Sequence, residues 1–271
     1  AQRLNELNNA FYRDNAASFF ATRHEPWGGW RRCVDAVDGM LTAGSRISLL
    51  DVACGNMRFE KFLRERYPDT VFEFCAVDDC AELVGAQIED DIDFRDVDIA
   101  GGLLCGDGGG HEGGCGAGPF RSCRARFDLA VSFGFMHHVP TSAARRLLLR
   151  DLVGSVKTGG SVLVSFWRFA DDAGLRAKAD ASTRHAIDEL GLPPLDQGDY
   201  LLGWQQTQSS YRYCHSFSGA EIDELLADIP DIRLVDRFDA DGRTGRLNTY
   251  VVLERVRSRS QPVSRYHTGI A

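Results

Sequence analysis

Long apolar runs are missing from this 271-residue chain. None reaches the roughly 18 to 20 residues that cross a bilayer, so a membrane-spanning helix is excluded. The opening residues, Ala1-Gln2-Arg3-Leu4-Asn5, lack the apolar core of a secretion signal, and a cytoplasmic location is expected. Positive charge is short too. A formal net charge of −8 argues against nucleic acid, whose binding runs on clustered Lys and Arg, although arginines do collect near both ends of the chain. The eight cysteines (33, 54, 75, 80, 105, 115, 123, 214) contain no compact C-x2-C pair, so Cys105, His111, Cys115 and Cys123 do not read as a zinc site and no metal is expected. Cys54 and Cys75 fall inside predicted core elements, where a thiol acts as a small hydrophobe rather than half of a secreted disulfide framework.

What the chain does have is 44% hydrophobic residues, enough to bury one full core. Strands are expected at 47–52, 71–77, 127–133, 161–167, 232–238 and 249–253, with a further one ending near Asp96. Helices are expected between them near 58–66, 81–89 and 142–156. That alternation predicts an α/β fold, a mostly parallel seven-stranded Rossmann-like sheet with helices on both faces. Residues 1–256 read as a single domain opened by lid helices over about 5–40, the second of them covering Trp30 to Met40. Residues 257–271 read as an Arg-containing tail. Lys157-Thr158-Gly159-Gly160 should separate a helix from the next strand, and Ser218-Gly219-Ala220-Glu221 should cap a helix running to Leu226. Gly101 to Gly118 is so rich in glycine that a flexible insertion is expected there.

One stretch carries chemistry directly. Ser48-Leu49-Leu50-Asp51-Val52-Ala53-Cys54-Gly55-Asn56-Met57-Arg58-Phe59 reads as strand, tight turn and helix, and Asp78 ends the next strand. In doubly wound sheets ligands sit outside the carboxyl ends of the strands, so this turn should touch a nucleotide-like cofactor. A phosphate-cradling loop wants several glycines, and only Gly55 is present. Asp51-x-x-x-Gly55 followed by Asp78 resembles the S-adenosyl-L-methionine loop of class I methyltransferases. The resemblance implies that Asp51, Ala53, Gly55 and Asn56 line the cofactor, that Asp78 accepts from the ribose hydroxyls, and that Asp98 faces the adenine. Ser132 and Phe133, after the fourth strand, belong to the same edge.

His137 and His138 follow at that edge, as general bases, as substrate contacts, or as residues that pack the next helix. Thr22-Arg23-His24-Glu25-Pro26-Trp27 and Tyr211-Arg212-Tyr213-Cys214-His215 each combine a cation with aromatic rings, a mixture suited to a planar anion. Taken in order with Cys54-Gly55-Asn56, His137-His138, Gly159-Gly160, Trp167, Trp204 and Asn248, these elements resemble the eukaryotic tRNA wobble-uridine carboxymethyl methyltransferases over roughly residues 9–256. Ala53 and Met57 stand where that family has glycine, Gly203 where it has proline, and Cys214 where it has an aromatic residue.

The resemblance implies methyl transfer from S-adenosylmethionine to a carboxylate on a modified wobble uridine in tRNA. Arg23 or Arg212 would hold the anion, and Thr22, Trp27, Trp204, Tyr213, His215 and Asn248 would surround it. It also implies a small activator protein as partner. A carboxylate, with a pKa near ~4, is ionised at neutral pH and needs no base. A hydroxyl or amine acceptor would make His137 or His138 essential. A small-molecule methyltransferase and a non-catalytic scaffold of the same fold are the alternatives.

Overall fold

The computed structural model describes residues 1–22, 24–84, 91–105, 123–204 and 210–257. Seven strands form one sheet: β1 Arg46–Val52, β2 Val71–Asp78, β3 Asp93–Asp96, β4 Phe127–Ser132, β5 Val156–Trp167, β8 Ile232–Ala240 and β9 Asn248–Arg255. Their order is β3-β2-β1-β4-β5-β9-β8. β9 pairs antiparallel with both neighbours, so it alone runs against the rest. The central strands read as nearly unbroken apolar runs because both faces are covered. Along β1 and β2 the side chains alternate, Leu50, Val52, Cys75 and Val77 entering one core while Leu49, Phe72, Phe74 and Ala76 enter the other.

The helices are α1 Gln2–Ala21, α2 Gly28–Asp35, α3 Arg58–Arg66, α4 Ala81–Val84, α5 Ile99–Cys105, α6 Ser142–Ser155, α7 Ala173–Leu190 and α8 Gly219–Ala227. A separate antiparallel hairpin, β6 Asp199–Gly203 and β7 Tyr211–His215, packs against α7 and α1. Neither the hairpin nor α7 was expected from the sequence. No described helix is long and apolar enough to cross a membrane.

Three expectations need correction. The helix expected over Trp30 to Met40 ends at Asp35 and gives way to a 3-10 turn, Asp38–Met40. Residues 157–160 do not separate α6 from a strand: α6 stops at Ser155 and β5 begins at Val156, with an irregular register against β4 between Phe127 and Leu129. The expected insertion starts too early. Gly101 to Cys105 belong to α5, and Leu103 is fully buried there, so a deletion beginning at Gly101 should destabilise the domain. The remainder of that insertion lies outside the described residues, as does most of the C-terminal tail.

Candidate active site

A cavity of about 900 Å³ opens at the carboxyl edge of the sheet. Its wall takes Asp51, Ala53, Cys54, Gly55 and Asn56 from the turn after β1, Asp78 and Asp79 from the end of β2, and Phe133, Gly134, His137 and His138 from the segment after β4. Trp167 comes from the end of β5, Arg212 from β7, and Asn248 from the start of β9. α1 contributes Asn5, Asn8, Asn9 and Tyr12.

The β1 turn is folded by its own backbone. Ala53 and Cys54 donate N–H bonds to the Val77 carbonyl at 2.8 and 3.2 Å, and Gly55 donates to Asp78 Oδ2 at 2.8 Å. Ala53, Gly55 and Met57 all take positive φ, at 64°, 57° and 54°. The turn therefore keeps a glycine conformation at two positions that carry a Cβ. Ala53→Gly is expected to raise stability by about 1 kcal/mol by relieving that strain, as read by the midpoint of thermal unfolding. Met57 is buried and packed in the core, so its replacement would lose more than it relieves.

Buried carboxyls crowd this end of the cavity. Burial pushes Asp78 up to about 6, against N–H bonds from Gly55 and Cys80 that favour its charge. Burial and the Asp78 charge push Asp79 up to about 7. On β7, Arg212 is 8% exposed and its guanidinium lies 5.3, 5.8 and 5.5 Å from the ring centroids of Phe11, Trp167 and Trp204. Its NH1 donates to the Tyr12 hydroxyl at 3.2 Å. His138 Nδ1 faces the Tyr213 carbonyl at 2.9 Å, which can only accept, so the neutral ring carries its hydrogen on Nδ1. Nε2 then accepts from the Tyr12 hydroxyl at 2.7 Å.

The family model described as a methyltransferase domain matches residues 22–229, well over half of the chain. The chain belongs to this family. A protein of Encephalitozoon cuniculi, provisionally named a methyltransferase, is 29% identical over 218 residues, spanning 80% of this chain and 83% of that protein. An S-adenosylmethionine-dependent methyltransferase of Methanosarcina mazei superposes with a TM-score of 0.56 at 15% identity, covering 81% of this chain and 96% of that one. The 1,6-didemethyltoxoflavin N1-methyltransferase of Burkholderia thailandensis, solved with didemethyltoxoflavin and S-adenosylhomocysteine, gives 0.53 at 16% identity over 92% and 88%. The Haloferax volcanii complex of the Trm112 methyltransferase activator with a provisionally named methyltransferase gives 0.50 at 11% over 91% and 98%. At such identities the superpositions speak to the fold.

This methyltransferase takes S-adenosyl-L-methionine as methyl donor, and the residues present fit it. A Cβ at Gly55 would meet no protein atom within 4 Å, so the backbone is open to a ligand there. Asp78 lines the cavity with both carboxylate oxygens anchored by single N–H bonds, leaving acceptor capacity for ribose hydroxyls. Opposite, Gly134 at φ 74° leaves room for Trp27, whose ring would lie 2.5 Å from any Cβ.

Of the residues read from the sequence, Thr22, Trp27, Asp51, Ala53, Gly55, Asn56, Asp78, Phe133, His137, His138, Arg212 and Asn248 come together on the cavity wall. Arg23 lies outside the described residues. Asp98 is not on the wall: its Oδ1 accepts from the Gly101 N–H at 2.7 Å, capping α5, and from Asn5 Nδ2 at 3.1 Å. Asp79 occupies the wall instead. Ser132 is buried and not on the wall; Trp204 is not on the wall either, packing on Arg212 at 5.5 Å and donating from its indole to Ser18 Oγ at 3.1 Å. The sequence also missed Tyr12 and the asparagines of α1, although positions 5, 8, 9 and 12 repeat at helical spacing. His137, His138 and Cys214 bring ligand atoms within 4.8 Å of one another. Both His138 nitrogens are engaged by Tyr12 and Tyr213, and burial pushes the Cys214 thiol up to about 12, so the trio is no ready metal site.

Tyr213 and His215 turn away from the cavity into a buried ionic cluster. His215 Nδ1 meets Asp199 at 2.6 Å and its Nε2 meets Glu221 at 2.8 Å, while Arg145 reaches both carboxylates at 3.2 Å. The Tyr213 hydroxyl donates to Asp199 at 2.7 Å. Glu221 N–H still donates to Ser218 Oγ, so the helix cap forms while the Glu221 carboxylate serves His215. Burial opposes the imidazolium, but the two carboxylates outweigh it and raise its pKa above the ordinary 6.5. A raised pKa means stability that is full below the unfolded value and lost as pH rises through the folded one. The stability gap between wild type and His215→Gln should therefore be largest near pH ~6 and shrink toward pH ~9, measured by urea unfolding.

Proposed function

We propose that this methyltransferase esterifies a carboxylate on a modified wobble uridine of tRNA. The observation behind this reading is Arg212, a buried guanidinium on the cavity wall, boxed by Phe11, Trp167 and Trp204. A guanidinium fork can neutralise a carboxylate bidentately, and aromatic faces beside it suit a flat base. Bound S-adenosylmethionine supplies an electrophilic methyl. The chain's part is to hold the anion in line, exclude water and keep Arg212 charged. Arg23 is a second candidate anchor. A small activator protein is proposed as partner, in line with the Haloferax complex of the same fold.

The test is labelled methyl transfer to bulk tRNA, followed by mild alkali. An ester releases its methyl as methanol, whereas N- or O-methyl groups survive. Transfer to tRNA that is alkali-stable, or no transfer to tRNA at all, overturns the reading.

The second reading is a small-molecule acceptor that must lose a proton, and the Tyr12–His138 contact favours it. A hydroxyl at 2.7 Å from a ring nitrogen, with the other nitrogen held by a carbonyl, is the arrangement of an oriented base. The Burkholderia methyltransferase of the same fold acts on a small heterocycle.

A further inference from the structure

Asn248 opens β9 on the cavity wall and is 9% exposed. Its amide is held one way round. Asp241, in the turn between β8 and β9 and also on the wall, accepts from the Gly29 N–H at 3.2 Å through Oδ1 and from the Tyr250 hydroxyl through Oδ2. The same Oδ2 receives Asn248 Nδ2 at 2.8 Å, since an amide oxygen set against a carboxylate oxygen would have no proton between them. Among the described residues no group donates to Asn248 Oδ1.

The frame that carries this amide is closed by its own backbone. Asp241 and Gly242 both take positive φ, at 65° and 68°, and the Leu247 N–H returns to the Asp241 carbonyl at 3.2 Å. The Arg168 N–H holds the Leu247 carbonyl at 2.9 Å, tying the turn to the end of β5. A polar group locked in this way is pre-organised before any ligand arrives. Across the antiparallel β5–β9 pair Asn248 stands directly opposite Trp167, and directly opposed residues share a face of the sheet. The Arg212 guanidinium lies 5.8 Å from the Trp167 ring centroid. A ring resting on Trp167 with its carboxylate on Arg212 thus has the Asn248 amide as its neighbour.

We infer that Asn248 Oδ1 accepts a hydrogen bond from a ring N–H of the methyl acceptor, and that Asp241 is the positioning residue that presents this oxygen, rather than the amide nitrogen, to it. The inference rests on the proposed uridine acceptor and deepens it. Uracil offers an imide N–H at N3, whereas cytosine has a bare ring nitrogen there. Cytosine in the same pose would set that lone pair against Asn248 Oδ1, two acceptors with no proton between them, and such a mismatch is how a pocket rejects a near relative of its substrate. Arg212 then reads the carboxylate, and Asn248 reads the base that carries it.

The test is single-turnover methyl transfer by the full chain to two synthetic anticodon stem-loops, one carrying 5-carboxymethyluridine and the other its N3-methyl derivative. Wild type should act on the N3-methyl RNA about ten- to a hundredfold more slowly, a comparison that needs no variant to fold. Asn248→Ala should lose about the same factor on the N3–H RNA and stay within about threefold of wild type on the N3-methyl RNA, because both changes remove one and the same hydrogen bond. Asp241→Ala should narrow the ratio between the two RNAs, which a loss of stability alone would not move. Asp241→Asn keeps an oxygen for Asn248 Nδ2 and should restore part of that ratio. Equal wild-type rates on the two RNAs overturn the inference and leave the carboxylate reading standing. An Asn248→Ala chain that keeps the wild-type rate on the N3–H RNA and gains only on the N3-methyl RNA also overturns it, since Asn248 then merely fills space. Transfer by wild type to neither RNA overturns the uridine reading, and this inference with it.

Discussion

Replacing Asp78 by Ala should weaken S-adenosylmethionine binding about ten- to a hundredfold, equivalent to roughly 1 to 3 kcal/mol. Two effects act together. The ribose hydroxyls lose their acceptor, and the Gly55 and Cys80 N–H groups, which Asp78 holds at 2.8 and 3.0 Å, lose the anchor that sets the loop. Asp78→Asn should fall between wild type and Ala, because an amide oxygen still accepts from one N–H while the negative charge is gone. Asp98→Ala is the control. Its carboxylate caps α5 rather than facing the cavity, so it should cost about 1 kcal/mol of stability and leave cofactor affinity nearly unchanged. Burial raises Asp78 to about 6, so wild-type affinity should also decline as pH falls below that value and the acceptor is protonated. Calorimetric affinities for the three variants decide the matter. Wild-type affinity in Asp78→Ala would move the ribose elsewhere, and a loss confined to Asp98→Ala would restore Asp98 to the adenine.

The contrast between Asp78 and Asp98 shows how far the sequence reaches. An apolar run ending in Asp51, a turn at Gly55 and a second run ending in Asp78 can mean little besides adjacent parallel strands with acids at their ligand edge. Periodicity and burial agree there, so the β1–α3–β2 unit was legible almost to the residue. Asp98 follows a four-residue edge strand whose burial pattern is mixed, and nothing in the sequence distinguishes a cavity wall from a helix cap two positions beyond it. Composition misled at Gly101 and Gly102, where helix formation rests on Leu103 reaching the core rather than on local propensity. The β6–β7 hairpin left no period to read, because every residue of Tyr211–His215 is buried. His215 pairs with Asp199 and Glu221, 16 and 6 positions away, and Asp199 pairs with Arg145, 54 positions away. That is why Arg212 and His215, three residues apart, looked like one binding motif although one faces the cavity and the other a buried ionic cluster. Signal was available for Tyr12, which repeats with Asn5, Asn8 and Asn9 along one face of α1.

Arg212 and the Tyr12–His138 contact point to different acceptors, and exchanging them one at a time separates the two. With a carboxylate acceptor, Arg212→Lys should lower single-turnover methyl transfer about a hundredfold or more, since a lysine cannot offer the bidentate fork or lie flat between Phe11, Trp167 and Trp204. Cofactor affinity should stay within about twofold, because Asp78 and the β1 turn come from other elements than β7. Tyr12→Phe and His138→Gln should then cost tenfold at most, the nucleophile having no proton to lose. With a hydroxyl or amine acceptor the ranking inverts. Its proton would pass to the Tyr12 oxygen as the phenolic proton moves to His138 Nε2, so either variant would abolish transfer. The acceptor for the assay is tRNA bearing the unesterified carboxymethyl group, with thermal unfolding of each variant confirming the fold. The Arg212→Lys loss, with Tyr12→Phe and His138→Gln still active, supports the carboxylate. Inactive Tyr12→Phe and His138→Gln, with Arg212→Lys still active, would replace it with a proton-bearing acceptor.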